Sequence, residues 1–480
     1  MKGAPLAVLA TPVAEVSSIA ALTMAYRLKL ANFRKSAFLR SVGVLVGGTA
    51  FAQALMILLL PLLTRLYTPE DFSVLAVYVS LLGIISVAAC LRFDVAIPLP
   101  EGDEDAANLL GLALACSFAI SVLAGTLVLA FPEVITHLIG QPRLKPYLWL
   151  IPLGVLLASS YSALQFWAVR KKAFHAVART KMTQAIGGVG IQAALGWVGL
   201  APFGLLFGQM INSGAGILGL GLRAFKGDRN TMRAISLPRM RSAFSEYHRF
   251  PKYSVVESVA NSAGIQLPVI LIASLAVGPE AGFLMLAMRA MQAPMGLIGT
   301  AVSQVYLSRA PSEYRAGVLG PFTARMIGGL MKTGVGPLIF AGVIAPVVFP
   351  IIFGEKWFRA GELVAWMTPW FVMQFLVSPV SMTLYVTGNQ KTALVLQLCG
   401  LVLRVGAVVL AAAFTPAYIV EVYAMSGFVF YAAYFIAVAV SASIKTNALL
   451  HEAKKSAGVV IAWIAASIMA RYIVAMLVVK

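Results

Sequence analysis

Residues 47–100 read GGTAFAQALMILLLPLLTRLYTPEDFSVLAVYVSLLGIISVAACLRFDVAIPLP. The stretch contains most of one apolar run, at about 42–63, and all of a second, at about 72–92, joined by a short polar segment. Each run is about 20 residues long, the length that an α-helix needs to cross the ~30 Å hydrocarbon core of a bilayer. Because backbone amides must be hydrogen-bonded inside lipid, the two runs predict two membrane-spanning helices joined by a tight turn.

The same pattern continues along the chain and predicts twelve spans followed by a thirteenth. After the first two, the predicted spans lie at about 108–131, 147–169, 182–200, 202–222, 254–276, 283–305, 326–352, 363–386, 392–413, 418–440 and 457–478. The sequence therefore predicts an all-α polytopic membrane protein.

The composition supports this class of protein. Of the 480 residues, 60% are hydrophobic and 11% are charged, whereas a soluble domain has about 25% charged residues. A soluble enzyme is excluded, because its surface would need more polar and charged residues than this chain has. The formal net charge of +19 fits the excess of Lys and Arg in cytoplasmic loops of membrane proteins, so no nucleic-acid partner is expected.

The positions of the basic residues predict the orientation and the domain boundaries. The basic loops fall on one side of the membrane when the N-terminus is cytoplasmic. We expect a cytoplasmic extension (1–40), an N-lobe with spans 1–6 (41–222), a basic cytoplasmic linker (223–253), a C-lobe with spans 7–12 (254–440), and a second basic linker with the thirteenth span (441–480).

An internal repeat supports two lobes of the same topology. Residues 68–78 read TPEDFSVLAVY and residues 278–288 read GPEAGFLMLAM, and each segment joins the first span of a six-helix set to the second. Gln53 precedes the first copy by about as much as Gln266 precedes the second. Two lobes that face each other across a midplane cavity are a common architecture of secondary transporters.

The sequence contains no motif for ATP hydrolysis, metal binding or covalent catalysis. The dipeptide Gly-Lys of a phosphate-binding loop is absent, the four histidines are scattered, and the three cysteines lie in apolar runs. We therefore expect a transporter rather than an enzyme, with no cofactor and no metal.

Ionisable residues inside spans are costly and mark candidate functional sites. Arg289, Arg404 and Lys332 predict a cationic cavity, which suits phosphate because Arg binds it through a bidentate fork; for Arg289 and Lys332, a side chain that reaches the nearer interface is an equal alternative. Uncharged polar candidates for the cavity or its gate are Gln53, Asn261, Gln266 and Gln304, and candidates for ion coupling are Glu257 and Glu421.

Several strings resemble the Wzx-type oligosaccharide flippases of the multidrug/oligosaccharidyl-lipid/polysaccharide (MOP) exporter superfamily. The first is Pro-x-x-Thr-Arg-x-Tyr-x-Pro-x-x-Phe at 61–72, and the second runs from Arg92 to Pro100, with Asp94 in place of the usual Glu. Residues 250–310 are also similar, in Pro-Lys-Tyr-Ser, Gln-x-Pro, Ala-x-Arg and Pro-x-x-Leu-Ile-Gly. The resemblance covers about 40–440 and adds Arg65, Arg92 and Asp94 as candidates for substrate binding or gating.

The resemblance implies a V-shaped pair of lobes around a central cavity, in the bacterial inner membrane. It implies a flippase that moves undecaprenyl-pyrophosphate-linked oligosaccharide repeat units to the outer leaflet, with membrane lipid as a further partner and a polysaccharide polymerase and a chain-length regulator as candidate partners. The alternatives are a flippase for another lipid-linked substrate, a multidrug exporter of the same superfamily, and a membrane polysaccharide polymerase.

Overall fold

The computed structural model describes residue 43 and residues 47–478. The predicted extension 1–40 lies outside the described residues. The described secondary structure is helical throughout. Its helices are α1 (Gly47–Leu66), α2 (Pro69–Ala89), α3 (Phe93–Ala96), α4 (Asp103–Ala130), α5 (Pro132–Leu138), α6 (Leu150–Arg170), α7 (Phe174–Trp197), α8 (Phe203–Gly214), α9 (Gly216–Gly227), α10 (Arg229–Arg233), α11 (Leu237–Glu246), α12 (Val255–Leu275), α13 (Glu280–Arg315), α14 (Leu319–Leu330), α15 (Gly336–Phe353), α16 (Phe358–Val377), α17 (Thr383–Val386), α18 (Gln390–Phe414), α19 (Ile419–Ser441) and α20 (Thr446–Val478).

The predicted spans coincide with these helices. Eleven of the thirteen correspond to described helical segments that are long and apolar enough to cross a membrane. The fifth and eighth correspond to α7 and α13. The ninth span is interrupted by a π-helical turn, Met331–Val335, and the tenth by a 3₁₀ turn, Ser378–Val380. The protein is therefore a multi-pass membrane protein, as predicted.

The turn between α1 and α2 follows from its sequence. Thr68 caps α2, because its hydroxyl accepts from the backbone N–H of Asp71 while the Asp71 carboxylate accepts from the backbone N–H of Thr68. Pro69 occupies the first helical position, where its missing N–H costs nothing. The buried Tyr67 hydroxyl donates to the carbonyl of Gln192 at 2.7 Å, and burial raises the pKa of Tyr67, which keeps it a neutral donor.

The two lobes meet through α2, which packs against both α12 and α13 of the C-lobe. The large hydrophobic core runs through this contact and includes Phe72, Leu75, Ile272 and Leu284. A second apolar cluster lies inside the N-lobe around Trp167. The lobes thus share one core along α2 rather than being separate bodies.

The two segments predicted as basic linkers are largely helical. In 223–253, α10 and α11 dock on the N-lobe: the Asn108 side chain donates to the carbonyl of Ala234 at 3.2 Å and accepts from the backbone N–H of Ser236 at 3.0 Å. After residue 445, the segment expected to be a linker forms the first turns of α20. This helix packs against α14 and α15, and Ser456 donates to the carbonyl of Gly328 at 3.2 Å.

Candidate functional site: a cavity between the lobes

A cavity lies between α1 of the N-lobe and α13 of the C-lobe. Its first part has a volume of about 170 Å³ and is lined by Gln53, Met56, Ile57, Leu60, Arg289 and Gln292. Its second part, of about 400 Å³, is lined by Gln53, Gln292, Met295, Gly296, Gly299, Ser303, Gln374, Phe375, Ser378 and Pro379. Gln53 and Gln292 line both parts, so the two form one interlobe space, which we call the central cavity. No acidic residue is among these lining residues.

Arg289 is the cation that faces the central cavity. It is half-buried and lies nine residues after the start of α13, or about 14 Å along the helix axis, close to half the thickness of the hydrocarbon core. Its Nη2 donates to the Gln209 side-chain oxygen of the N-lobe at 3.0 Å. Within the described part of the chain, no carboxylate lies at ion-pair distance from Arg289. The cavity therefore has a positive charge without a carboxylate partner among the described residues, in its part nearer the start of α13.

The two glutamines of the internal repeat occupy equivalent places in the lobe contact. On one side, the Gln53 side chain lies against Gly296 of α13, 3.2 Å from where a Cβ would stand. On the other side, the Gln266 side chain lies against Gly83 of α2, 2.8 Å from where a Cβ of residue 83 would stand. The positions 53 and 266, and 83 and 296, are both 213 residues apart, so each lobe presents a glutamine to a glycine of the other. Gln266 also accepts from the hydroxyl of Ser80 at 3.0 Å.

The cavity is closed at the end of the bundle that contains the α1–α2, α12–α13 and α15–α16 turns, which we call the Trp357 end. The buried Trp357 ring lies between Phe72 and Phe283, at centroid distances of 4.9 and 6.0 Å. Its indole N–H donates to the carbonyl of Thr64 at 3.1 Å, one of the last four carbonyls of α1, which have no partner within their own helix.

The repeat segments themselves touch at this end. Gly282, in the first turn of α13, lies against the backbone of Pro69, where a Cβ would overlap the carbonyl oxygen. Only glycine permits this approach. From the Trp357 end, the central cavity extends along α13 toward the opposite end, which contains the linker 223–253.

Arg404 does not line the central cavity. It is 2% exposed and lies inside the C-lobe, where its guanidinium stacks on Phe430 at 4.5 Å and its Nε donates to the carbonyl of Gly400 at 2.9 Å. It also lies against Gly264 of α12. The structure does not bring Arg404 and Arg289 to one cavity surface.

The other predicted site residues fall into three groups. Gln266 lies in the lobe contact described above. The side chains of five are exposed and line neither part of the cavity: Lys332, Asn261, Gln304, Arg65 and Glu257. Arg92 and Asp94 lie inside the N-lobe, where Asp94 is buried and accepts from the hydroxyl of Ser162 at 2.9 Å. Arg92 adopts a left-handed conformation with φ of 62°, which is uncommon for a residue other than glycine.

Glu421, predicted as an ion-coupling candidate, is buried and paired. Arg359 Nη2 donates to it at 2.6 Å, and the same guanidinium contacts Glu280 and Glu362. Among the described residues, no group of three or more metal-ligating side chains is placed to hold a metal ion.

Sequence reasoning missed Gln209 and Gln292. Gln292 is three residues after Arg289, so the helical period places both on one face of α13, and this signal could have found it. Gln209 contacts Arg289, which lies 80 residues later in the sequence, and no local sequence pattern identifies Gln209 as a site residue.

Comparisons with known proteins agree with this architecture. A family described as "Polysaccharide biosynthesis protein" matches residues 62–362. The chain belongs to this family. No functionally curated protein matches the sequence.

Three solved transporters have a similar fold. The chain is similar to the lipid II flippase MurJ in an inward closed conformation, with a TM-score of 0.67 and 12% identity over 90% of this chain and 97% of that one. It is similar to an inward-facing multidrug resistance MATE family transporter of the MOP superfamily, with a TM-score of 0.57 and 15% identity over 82% and 94%. A point mutant of the Vibrio cholerae MATE transporter VcmN gives a TM-score of 0.51 and 11% identity over 86% and 99%.

The family and the fold together confirm the predicted membership of the MOP superfamily. The fold is that of its transporters, an all-helical pair of lobes around a cavity. The chain therefore belongs to a polysaccharide biosynthesis family and has the fold of known flippases and multidrug transporters.

Proposed function

We propose that this protein moves undecaprenyl-pyrophosphate-linked oligosaccharide repeat units from the cytoplasmic to the outer leaflet of the bacterial inner membrane. The observation that carries the proposal is Arg289, whose charge faces the central cavity without a carboxylate partner among the described residues. A guanidinium in this setting attracts an anion, and its planar fork matches the oxygens of a pyrophosphate.

The lining of the cavity fits the other part of such a substrate. Gln53, Gln292 and Gln374 offer amide donors and acceptors at the level of Arg289 and beyond it. Amides can hydrogen-bond the hydroxyls of many sugars without selecting one, because they both donate and accept. In this proposal, Arg289 holds the pyrophosphate, the glutamines contact the sugars, and the lipid tail remains in the membrane.

We place the Trp357 end on the outer side and the N-terminus and linker 223–253 in the cytoplasm, because the linker is rich in Lys and Arg. The lobes are then 41–222 and 254–440, and their rocking about the α2 contact would open each end in turn. Arg404, Lys332, Asn261, Gln304, Arg65, Arg92 and Asp94 stay candidate residues for substrate contact or gating in other states of the cycle.

The deciding experiment follows the lipid-linked oligosaccharide when the gene is deleted. Undecaprenyl-linked sugars are extracted from inverted and right-side-out membrane vesicles and identified by mass. We expect a complete repeat unit to accumulate on the cytoplasmic face, and complementation with the wild type to remove it. Arg289→Gln should fail to complement, whereas Arg309→Gln, a substitution of an exposed arginine on the same helix, should succeed.

The alternatives give different results in the same experiment. Single units on the outer face would mean that flipping is intact and would favour a polymerase. Accumulation of a peptidoglycan precursor would favour a different lipid-linked substrate. If neither lipid-linked species accumulates and organic cations are retained instead, the protein is an exporter of the multidrug type. The lack of an acidic residue among the residues that line the central cavity argues against that outcome.

A further inference from the structure

Beside the lobe contact, one arginine holds three carboxylates from three helices. Arg359 of α16 donates through Nε to Glu280 of α13 at 3.1 Å, through Nη1 to Glu362 of α16 at 3.3 Å, and through Nη2 to Glu421 of α19 at 2.6 Å. We call these four residues the Arg359 cluster. Each nitrogen of the guanidinium is used by a different carboxylate, so the cluster joins the ends of α13, α16 and α19.

The charges of the cluster do not balance. Three ionised carboxylates and one guanidinium give a net charge of −2. The Glu421 side chain is 6% exposed and Glu280 is 17% exposed. The second oxygen of each, Oε2, is buried and has no hydrogen-bond partner among the described residues. A buried carboxylate oxygen without a donor is unfavourable, because no hydrogen bond replaces those it makes to water.

Among the described residues, no other cation at this end faces the cluster closely enough to form an ion pair. The neighbouring turn carries Glu355 and Lys356, and α2 begins with Glu70 and Asp71. Glu70 interacts with Arg143 and Lys356, and Asp71 is engaged by Thr68. Helices α15 and α18 have no charged residue near this end. Among the residues that the structure describes, no group of three or more His, Cys, Asp or Glu side chains is placed to hold a metal ion.

The cluster is mechanically connected to the closed end of the cavity. Trp357, two residues before Arg359, inserts between Phe72 and Phe283, and Gly282, two residues after Glu280, lies on Pro69. A change in the spacing of α13 and α16 therefore moves both contacts that close the lobes.

We propose that the Arg359 cluster is a proton-binding site that controls closure of the Trp357 end. A proton from the solution on that side adds to Oε2 of Glu280, forms an O–H bond there, and reduces the net charge of the cluster to −1. Glu362, whose side chain is 38% exposed, connects the cluster to solvent. With the proton bound, the three helix ends stay together and the lobes remain closed; after its release, repulsion separates them and the end opens.

The site is independent of the identity of the transported molecule, so it is tested without substrate. The full chain is placed in lipid nanodiscs, and the carboxylic-acid C=O stretching band is followed by infrared difference spectroscopy as the pH rises. We expect a band that disappears in one titration step, and its loss in Glu280→Gln. Glu133→Gln, which removes an exposed carboxylate paired with Lys145 at the same end, should keep it.

Closure is measured on the same samples with spin labels at Val134→Cys in the N-lobe and Tyr418→Cys in the C-lobe, both exposed positions near the Trp357 end, after replacement of the three natural cysteines. We expect a longer distance to appear as the pH rises, with the ratio of the two populations changing by at most about tenfold per pH unit, as one linked proton requires. Glu280→Gln should remove this pH dependence.

An unchanged infrared band in Glu280→Gln would overturn the proton site. A wild-type distance distribution that does not change with pH would overturn its control of closure. Because the wild type alone gives the second result, a variant that fails to fold does not prevent the test.

Discussion

Replacing Arg289 with glutamine tests the anion site directly. The substitution removes the charge but keeps a long side chain that can still hydrogen-bond to Gln209 of α8. The wild-type guanidinium uses one N–H for Gln209, and its remaining N–H groups have no hydrogen-bond acceptor among the described residues, so they are available to an anion. Loss of one charge-assisted hydrogen bond costs about 1.5–3 kcal/mol, which corresponds to about a 10- to 150-fold weaker Kd.

We expect a result near the lower end of this range. Arg289 is half-buried in a cavity large enough for water, and water and salt screen part of the attraction. Arg289→Lys keeps the charge but loses the planar fork, so its affinity should lie between those of the wild type and Arg289→Gln.

The assay is calorimetric titration of the purified protein with a short-chain prenyl pyrophosphate in micelles, repeated with the corresponding prenyl alcohol. Arg289→Gln should weaken binding of the pyrophosphate and leave binding of the alcohol unchanged. Arg309→Gln, on the exposed part of the same helix, is the control. Equal affinity of Arg289→Gln and the wild type for the pyrophosphate, or an equal loss in Arg309→Gln, would refute the assignment.

Three further predictions concern the lobe contact and the buried arginine. Trp357→Phe keeps an aromatic ring but removes the indole N–H and part of a fully buried side chain, so the carbonyl of Thr64 loses its donor. It should lower stability by at least about 1–3 kcal/mol, measured by thermal unfolding in detergent; an unchanged melting temperature would contradict this. Gly282→Ala places a methyl group against the backbone of Pro69 and should shift the lobes toward an open Trp357 end, seen as faster labelling of cysteines introduced there. Arg404→Met replaces a buried charge by an apolar side chain of similar length; we expect it to be neutral or stabilising if Arg404 only packs, and transport that survives the change would remove Arg404 from the substrate pathway.

The helices and their order could be predicted from the sequence because hydropathy is a local property. A run of about 20 apolar residues is enough to predict a membrane-spanning helix. The repeat could also be recognised from the sequence, since both copies contain the same turn between the first and second spans of a lobe. The eleven apolar segments, α7 and α13 all lie where the sequence predicted them.

The partners of the buried charges could not be predicted in this way. The sequence places both Arg404 and Arg289 inside apolar spans, yet one stacks on Phe430 inside the C-lobe and the other faces the cavity. Which side of a helix faces the partner lobe depends on tertiary packing. The same holds for Glu421, whose partner Arg359 is 62 residues away.

The two glutamine–glycine contacts explain why the cavity lies on one side of the lobe contact. The repeat makes them equivalent, but the residues around them differ. At Gln266, Ser80 engages the amide and Ser262 donates to the carbonyl of Gly83 at 2.8 Å, so α2 and α12 are joined by direct bonds. At Gln53 the neighbouring side chains include Arg289 and Gln292, and a cavity remains. The α2–α12 side of the lobe contact is therefore tightly packed, whereas the α1–α13 side encloses the polar central cavity. In the proposed cycle, the lobes stay joined along α2 and α12 while the cavity on the α1–α13 side binds and releases the substrate.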